Sequence, residues 1–291
     1  IMTKKALKIS KVSLKNIDAV AATAGPGLVV CLSVGLNFAK ALSLSLKKPL
    51  IAINHLEGHA LSPKLNFNIK YPYLLFLISG GHTQYLTVNK LGDYKRLGTT
   101  IDDALGEVFD KTAKLLNLSY PGGPKIEELA KKGNENRFVL PKPIFNKGES
   151  NLSFAGLKTA ILRIKEYIKT DEDRKDLAAS FQKTILDILY KKTKNAFEQY
   201  LKLYPKNRTL VVAGGVAANK QIRFTLKKLC QVENFQIYFP DLNFCTDNAA
   251  MIALAGLERF KKKKFNNQNF AVNPRWQLDS KAKFMKGAGV K

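Results

Sequence analysis

Two histidines and a glutamate lie close together in the stretch "NHLEGH", residues 54–59, of a chain that has only three histidines. In a helix, His55 and His59 would share one face, so both imidazoles could bind one cation. Glu57 would point about 200° around that helix from His55, away from the cation. The spacing therefore differs from the HExxH motif of zinc proteases. Two polar histidines packed in a loop are the alternative.

A third metal ligand is missing near the histidines in the sequence. Asp247 follows a predicted strand and stands at the start of a predicted helix, from where it could supply that ligand. Simple capping of the helix is the alternative, and the sequence alone favours it. The three cysteines form no CxxC pair, which argues against a thiolate zinc site and against a disulfide framework.

Three glycine-rich loops could bind a nucleotide: "LISGGHTQ" (77–84), "YPGGP" (120–124) and "VVAGGVAAN" (211–219). Backbone amides beside glycine can approach a phosphate or a ribose closely, and the helix after Asn219 could present its N-terminus to a nucleotide. Each loop is also compatible with an ordinary turn. Because GxGxxG and Walker A motifs are absent, the three loops together suggest a nucleotide cleft of another kind.

Acidic residues are expected on one face of a helix predicted over "TIDDALGEVFDKTAKLLN", residues 100–117. Asp103, Glu107 and Asp110 have the spacing i, i+4 and i+7. We assign Asp102 and Asp103 to the first turn, where acidic side chains suit the helix dipole. Asp110 lies too deep in the helix for that role and is the better candidate for holding ribose hydroxyls. A solvated acidic face is the alternative.

Short apolar strands alternate with helices along the chain, with glycine loops at the joins. The predicted strands are residues 17–23, 49–54, 71–79, 83–89, 209–213 and 235–240. The predicted helices are residues 29–46, a short helix from 54, 100–117, 176–201, 219–230 and 245–264, the last capped by Thr246 or Asp247. This alternation predicts an α/β fold, in which ligands bind outside the strand ends.

The 291 residues carry a formal net charge of +25, which favours contact with polyanions such as RNA. Lysine-rich codon bias in an AT-rich genome is the alternative. We expect a cytoplasmic protein, because the longest apolar run, "YLLFLI", is too short to cross a bilayer and the start "IMTKKALKIS" has no apolar signal core.

Nine motifs of this chain together resemble one family. They are "TAGPGL", "NHLEGH", "LISGGHTQ", "DDALGEVFDKTAKLL", "YPGGP", "LSFAGLKTA", "VAGGVAANKQIR", "CTDNAAMIA" and "NPRW". Their order and spacing resemble the TsaD (YgjD, Gcp) family of tRNA N6-adenosine threonylcarbamoyltransferases along nearly the whole chain.

The resemblance implies an actin-like, Hsp70-like (ASKHA) fold with two RNase H-like lobes. Residues 1–54, completed by 256–291, would form the N-terminal lobe, and residues 55–255 the C-terminal lobe. The implied reaction transfers the threonylcarbamoyl group from threonylcarbamoyl-AMP to N6 of the adenosine immediately 3′ of the anticodon, in tRNAs that read ANN codons. Implied partners are tRNA, TsaB and TsaE, with no membrane.

The resemblance also implies a set of site residues. An iron or zinc ion would be held by His55, His59 and Asp247, with no nucleophilic serine or cysteine required. The residues implied to hold the adenylate are Leu77, Ile78, Ser79, Gly80, Gly81, Asp110, Gly123 and Asn219.

Family members begin with a strand and loop resembling "ETSCDDT", followed by a "GGVVPE"-like segment, and this chain shows neither. We therefore expect the first hairpin of the N-terminal lobe to be missing. Two other functions stay open: a truncated paralogue that only binds tRNA or partners, and an actin-like ATPase or sugar kinase. The presence of both histidines and Asp247 argues against a scaffold, and no sugar-kinase aspartate signature is recognisable.

Overall fold

A computed structural model describes residues 2–145 and 147–283 of the chain. These residues divide into two compact units. The first contains the described residues up to Ser62 together with Asn248–Leu278, and the second contains Pro63–Asp247 with the described residues from Asp279 on. The lobes expected from the sequence have other boundaries, at 54/55 and 255/256, and stay a prediction.

The first unit contains a parallel pair of strands covered by helices. Its elements are α1 (Met2–Ser10), β1 (Val20–Gly25), α2 (Val29–Leu46), β2 (Leu50–Asn54), α3 (His55–Leu61) and α9 (Ala249–Lys261). Helix α2 begins and ends at the residues predicted from the sequence, and its buried Leu36 and Ala39 pack against the two strands. Helix α1 was not predicted, and none of its residues is buried.

Helix α2 is long and apolar enough to cross a membrane by length and composition alone. The sequence expectation that no segment of the chain reaches that length was therefore wrong for this helix. Leu32, Leu36, Ala39 and Ser43 are its buried residues, and their spacing of three or four places them on one face. Core helices of water-soluble proteins pass the same test of length and composition.

The second unit is built on a five-stranded mixed sheet. Its strands are β3 (Tyr73–Ile78), β4 (Thr83–Lys90), β5 (Asp93–Thr99), β6 (Thr209–Ala213) and β7 (Gln236–Tyr238). In the strand order β5-β4-β3-β6-β7, the first three strands are antiparallel, whereas β6 runs parallel to both β3 and β7. The α/β prediction is confirmed, but β5 was missed because its sequence, "DYKRLGT", is polar and the strand lies at the edge of the sheet.

The helices of the second unit are α4 (Leu105–Leu115), α5 (Gly122–Ala130), α6 (Ala155–Lys165), α7 (Asp171–Leu203) and α8 (Lys220–Val232). Helices α5 and α6 were not predicted, and residues 122–124 of the predicted loop "YPGGP" lie in the first turn of α5. A large apolar core joins these helices to the sheet, with Phe76 stacked on Tyr85 at 4.1 Å between ring centroids and Phe109 packed edge-on against Phe181.

Helix α4 begins at Leu105 and not at residue 100, so the assignment of Asp102 and Asp103 to its first turn was wrong. The carboxylate of Asp102 instead accepts hydrogen bonds from the Phe154 amide at 2.7 Å and from the Ser153 hydroxyl. Asp103 forms a 2.7 Å ion pair with Lys111. These bonds hold the preceding segment in a loop, and the helix starts only beyond it.

Helix α9 is capped by Asn248, whose side chain accepts a hydrogen bond from the Met251 amide at 2.9 Å. The predicted caps, Thr246 and Asp247, were therefore wrong. Because Asn248 performs the capping, the Asp247 carboxylate is not needed for it.

Candidate metal centre and nucleotide cavity

The two histidines of "NHLEGH" are positioned by the junction of β2 and α3. Asn54 ends the strand and caps the helix, its side chain accepting a hydrogen bond from the Leu56 amide at 2.9 Å. His55 is therefore the first helical residue, and His59 lies one turn later on the same face. The ring centroids are 4.9 Å apart, and His59 is buried. The predicted short helix and shared face are confirmed.

Asp247 directly precedes the cap of α9, a helix that packs on α3. The packing is close at Gly58, where an added Cβ would lie 2.8 Å from the Ile252 Cδ1 atom. The start of α9 thus lies beside the histidines, and one ligand atom from each of His55, His59 and Asp247 lies within 4.8 Å of the others. The structure brings together the three residues that the sequence suggested.

Two imidazoles and one carboxylate form a donor set that suits zinc or ferrous iron. Three protein ligands leave coordination positions for a further group, as catalytic metal sites require. Glu57 is no part of this set, because its carboxylate accepts a 2.5 Å hydrogen bond from Arg259 Nε. The expectation that it points away from the cation agrees with this contact.

A cavity of about 440 Å³ lies within the second unit. Four of the predicted substrate residues line it: Gly80 after β3, Asp110 on α4, Gly123 on α5, and Asn219 before α8. The volume falls in the usual range for small-molecule sites. Tyr120, Pro121 and Pro124 also line it and belong to the predicted loop "YPGGP". The sequence did not suggest the lining residues Phe109, Glu127, Leu242 and Thr246.

The other four predicted substrate residues do not line this cavity. Leu77 and Ile78 are fully buried within β3. Ser79 shapes the loop, since its backbone amide donates to the His82 carbonyl at 2.8 Å and its carbonyl accepts from the Gly106 amide at 3.2 Å. Together with Gly81, these residues support the loop that carries Gly80.

Glycines allow the backbone around the cavity to pack closely. An added Cβ at Gly106 would lie 2.7 Å from the Gly80 Cα atom, and one at Gly122 would lie 2.5 Å from the Ala113 Cβ atom. Gly214 has a φ of +101° and leaves no room for a side chain beside the Ile78 carbonyl. The shape of the cavity therefore depends on backbone approach at these positions.

The two predicted polar side chains that line the cavity, Asp110 and Asn219, are both oriented by the protein. One carboxylate oxygen of Asp110 accepts a hydrogen bond from the Gly122 amide at 2.7 Å, and its second oxygen can accept from a ligand hydroxyl. The Asn219 side chain caps α8 by accepting from the Ile222 amide at 2.9 Å, and its amide nitrogen donates to Gln182 at 3.2 Å.

The N-terminus of α8 is already occupied by a protein carboxylate. Glu127 Oε1 accepts hydrogen bonds from the amides of Lys220 at 2.6 Å and Gln221 at 3.2 Å. A phosphate at these two amides would meet the negative charge of Glu127. The prediction that this helix N-terminus faces a nucleotide stays a prediction. The sequence offered no signal for this contact, which joins residues 93 positions apart.

A second cavity of about 620 Å³ adjoins the first through Gly80, Asp110 and Tyr120. Lys111 lies along it and pairs with both Asp103 at 2.7 Å and Glu107 at 2.8 Å. Burial alone would lower the pKa of Lys111, but the hydrogen bonds to the two carboxylates raise it above its ordinary value. Lys111 is thus held as a cation beside the cavity.

Solved structures of HypF resemble this fold. HypF from T. kodakarensis matches with a TM-score of 0.65 and 16% identity, over 91% of this chain and 43% of that chain. A full-length HypF in a phosphate- and nucleotide-bound form matches with a TM-score of 0.62 and 14% identity. The chain spans about two fifths of the length of these proteins, at 43% and 41%. At this identity the likeness shows the fold alone.

Curated relatives are much closer in sequence. The tRNA N6-adenosine threonylcarbamoyltransferase of Pelagibacter ubique is 63% identical, over 100% of this chain and 82% of the relative. The protein of the same description from Bartonella henselae is 50% identical, over 98% of this chain and 81% of the relative. A model of the family described as "TsaD: tRNA N6-adenosine threonylcarbamoyltransferase" matches residues 1–254. The chain belongs to this family of tRNA-modifying acyltransferases.

Proposed function

We propose that this protein transfers the threonylcarbamoyl group from threonylcarbamoyl-AMP to N6 of the adenosine immediately 3′ of the anticodon, in tRNAs that read ANN codons. The observation that carries the proposal is that a chain of this family holds both a histidine–histidine–aspartate group and a nucleotide-sized cavity. The net charge of +25 also suits a tRNA substrate.

The cavity of the second unit is the proposed site for the AMP portion of the adenylate. Asp110 would accept hydrogen bonds from the ribose hydroxyls, since one of its oxygens is already fixed by the Gly122 amide. The apolar walls supplied by Pro121, Pro124 and Leu242 suit the adenine ring. Backbone groups around Gly80 can approach the ligand closely, because that residue carries no side chain.

The proposed reaction needs positioning more than a protein nucleophile. The N6 amine forms a bond to the carbamoyl carbon and gives up one proton to water. The bond from that carbon to the phosphate oxygen breaks, so AMP leaves with the electron pair. A mixed anhydride is already activated, so alignment and charge stabilisation are sufficient. A divalent ion held by His55, His59 and Asp247 would supply Lewis-acid polarisation and charge neutralisation.

We further propose iron or zinc as the native ion, TsaB and TsaE as partners, and the cytoplasm as the location. The donor set supports either metal. The strand order β5-β4-β3-β6-β7 supports an RNase H-like lobe of the actin-like type for the second unit. A tRNA substrate supports the cytoplasmic location.

The direct test is a transfer assay. The chain would be mixed with TsaB, TsaE, threonylcarbamoyl-AMP and unmodified tRNA, and threonylcarbamoyladenosine would be measured by mass spectrometry. We expect product from the unchanged chain and none from His59→Ala. Absence of product from the unchanged chain, under conditions in which the Pelagibacter relative is active, would contradict the proposed function.

A further inference from the structure

Glu57 lies between the two histidines in sequence and is almost completely buried, with 1% of its side chain exposed. Its Oε1 atom accepts a 2.5 Å hydrogen bond from Nε of Arg259, whose side chain is 18% exposed. A buried carboxylate is stable only when it is paired and hydrogen-bonded. Loss of either residue would therefore leave the charge of the other without its partner in this contact.

The ion pair joins the two helices that carry the metal ligands. Glu57 belongs to α3, which bears His55 and His59, and Arg259 lies in the last turn of α9. A separate contact at the N-terminal half of α9 brings Gly58 against Met251 and Ile252. Two contacts therefore fix α3 on α9. Close packing holds α3 near the start of α9, and a charged hydrogen bond holds it near the end of α9.

The register of α3 on α9 determines the spacing of the candidate ligands. The histidines project from α3, and Asp247 directly precedes the Asn248 cap of α9. A shift of one helix along the other would move the carboxylate relative to the imidazoles. Apolar contacts tolerate such sliding better than a charged hydrogen bond with fixed geometry does.

We propose that Glu57 and Arg259 are positioning residues, whose buried ion pair holds His55, His59 and Asp247 at the spacing that binds a metal. The proposal rests on the metal site of the proposed function. It also explains a glutamate within a histidine motif that lacks the HExxH spacing. The Glu57 carboxylate is directed to a guanidinium and supports the helices, whereas in a zinc protease the glutamate acts as a base on water.

The test measures binding of Co²⁺ to the full chain by its visible absorption, with no transfer reaction involved. We expect Glu57→Gln and Arg259→Gln each to weaken Co²⁺ binding by about tenfold to a hundredfold, the usual effect of losing a group that supports metal ligands. Arg259→Lys keeps the charge and one donor, so it should restore most of the affinity. Lys261→Gln is the matched control, because it removes a charge from the same helix at an exposed 3.6 Å pair with Glu258.

The double variant Glu57→Gln/Arg259→Gln distinguishes loss of the ion pair from general destabilisation of the fold. If the residues act through each other, its loss of affinity should be no larger than that of the worse single variant. Additive losses would overturn the proposal, as would unchanged Co²⁺ affinity in both single variants or an equal loss in Lys261→Gln. If either glutamine variant fails to fold, Arg259→Lys and Glu57→Asp provide the same comparison in milder form.

The metal site itself has a separate readout. His59→Ala should abolish Co²⁺ binding whether or not the ion pair matters. If His59→Ala still binds Co²⁺ like the unchanged chain, the metal site of the proposed function fails. If His59→Ala loses the ion while the Glu57 and Arg259 variants keep it, the metal site stands and the positioning role is wrong.

Discussion

The two units keep their candidate sites in different ways. In the first unit, the two histidines stand on α3, beside a two-stranded sheet whose buried apolar clusters are small, such as Ala24, Leu36 and Ala52. In the second unit, the cavity is lined by loops and helices that pack on a five-stranded sheet and one large core. The first unit depends on a few directed contacts, and the second on extensive packing.

The difference teaches which substitutions each site should tolerate. The candidate metal site is made of side chains, so its affinity depends on helix register and on the buried pair of Glu57 and Arg259. The cavity is shaped largely by backbone approach at Gly106, Gly122 and Gly214, so it should be sensitive to added volume. Each site should be damaged by changes that leave the other intact.

The largest expected effect is on the core of the second unit. Phe76→Ala removes a fully buried ring that stacks on Tyr85, and should lower the free energy of unfolding by about 3–5 kcal/mol. Leu36→Ala in the first unit removes a side chain from a smaller cluster, and should cost about 2–3 kcal/mol. Urea unfolding measures both. A larger loss from Leu36→Ala would contradict the contrast between the two cores.

A smaller effect is expected from filling the cavity wall. Gly106→Val places side-chain atoms where a Cβ already lies 2.7 Å from the Gly80 Cα atom, so AMP binding should weaken by about tenfold to a hundredfold. Isothermal titration with AMP measures this. Gly148→Val is the matched control, because an added Cβ there meets no atom within 4 Å and Gly148 does not line the cavity. Equal losses of AMP affinity in both variants would show that the effect does not come from narrowing the cavity. Co²⁺ binding should be unchanged in both variants.

Cysteine labelling compares the two units without changing the sequence. Cys31 is exposed on α2, whereas Cys230 and Cys245 are buried in the second unit. Burial raises the pKa of the Cys230 thiol to about 12 and also raises that of Cys245. Because the thiolate is the reactive form, one thiol should react rapidly with a disulfide reagent at pH 8 and two slowly. Rapid reaction of all three would show that the second unit opens easily.

The smallest effect is expected from acid at the start of α7. Hydrogen bonds from the Thr170 and Lys169 amides lower the pKa of Asp173, and a hydrogen bond from Arg137 lowers that of Asp176. Both carboxyls have a depressed pKa in the folded state, so their stabilisation is present above about pH 4, the unfolded value, and is lost as pH falls through the folded pKa.

Asp173→Asn should therefore flatten the fall in the free energy of unfolding below pH 4, measured by urea unfolding at several pH values. Asp187→Asn is the control, because Asp187 forms an exposed 2.7 Å pair with Lys142. An unchanged pH profile in Asp173→Asn would contradict the prediction.

Local patterns allowed much of this structure to be predicted. Apolar periodicity gave both ends of α2, and the i, i+4 spacing placed His55 and His59 on one face. Apolar runs separated by "SGGH" gave the β3–β4 hairpin. Asp110 was suggested because its position within a helix did not suit a dipole role, and it lines the cavity.

Contacts between distant parts of the chain could not be predicted in this way. Arg259 and Glu57 are 202 positions apart, and no local pattern pairs them. The predicted start of α4 was wrong because Asp102 accepts hydrogen bonds from Ser153 and Phe154, about fifty residues further along the chain. The predicted cap of α9 was wrong because three neighbouring residues, Thr246, Asp247 and Asn248, all suit the capping position.

The most direct test of the account is a transfer assay on protein stripped of metal by a chelator and then resupplied with Fe²⁺ or Zn²⁺. The account predicts that threonylcarbamoyladenosine formation is lost on stripping, returns with the metal, and does not return in Asp247→Ala. Full transfer by the metal-free chain, or by Asp247→Ala, would contradict the claim that His55, His59 and Asp247 hold an ion needed for the reaction.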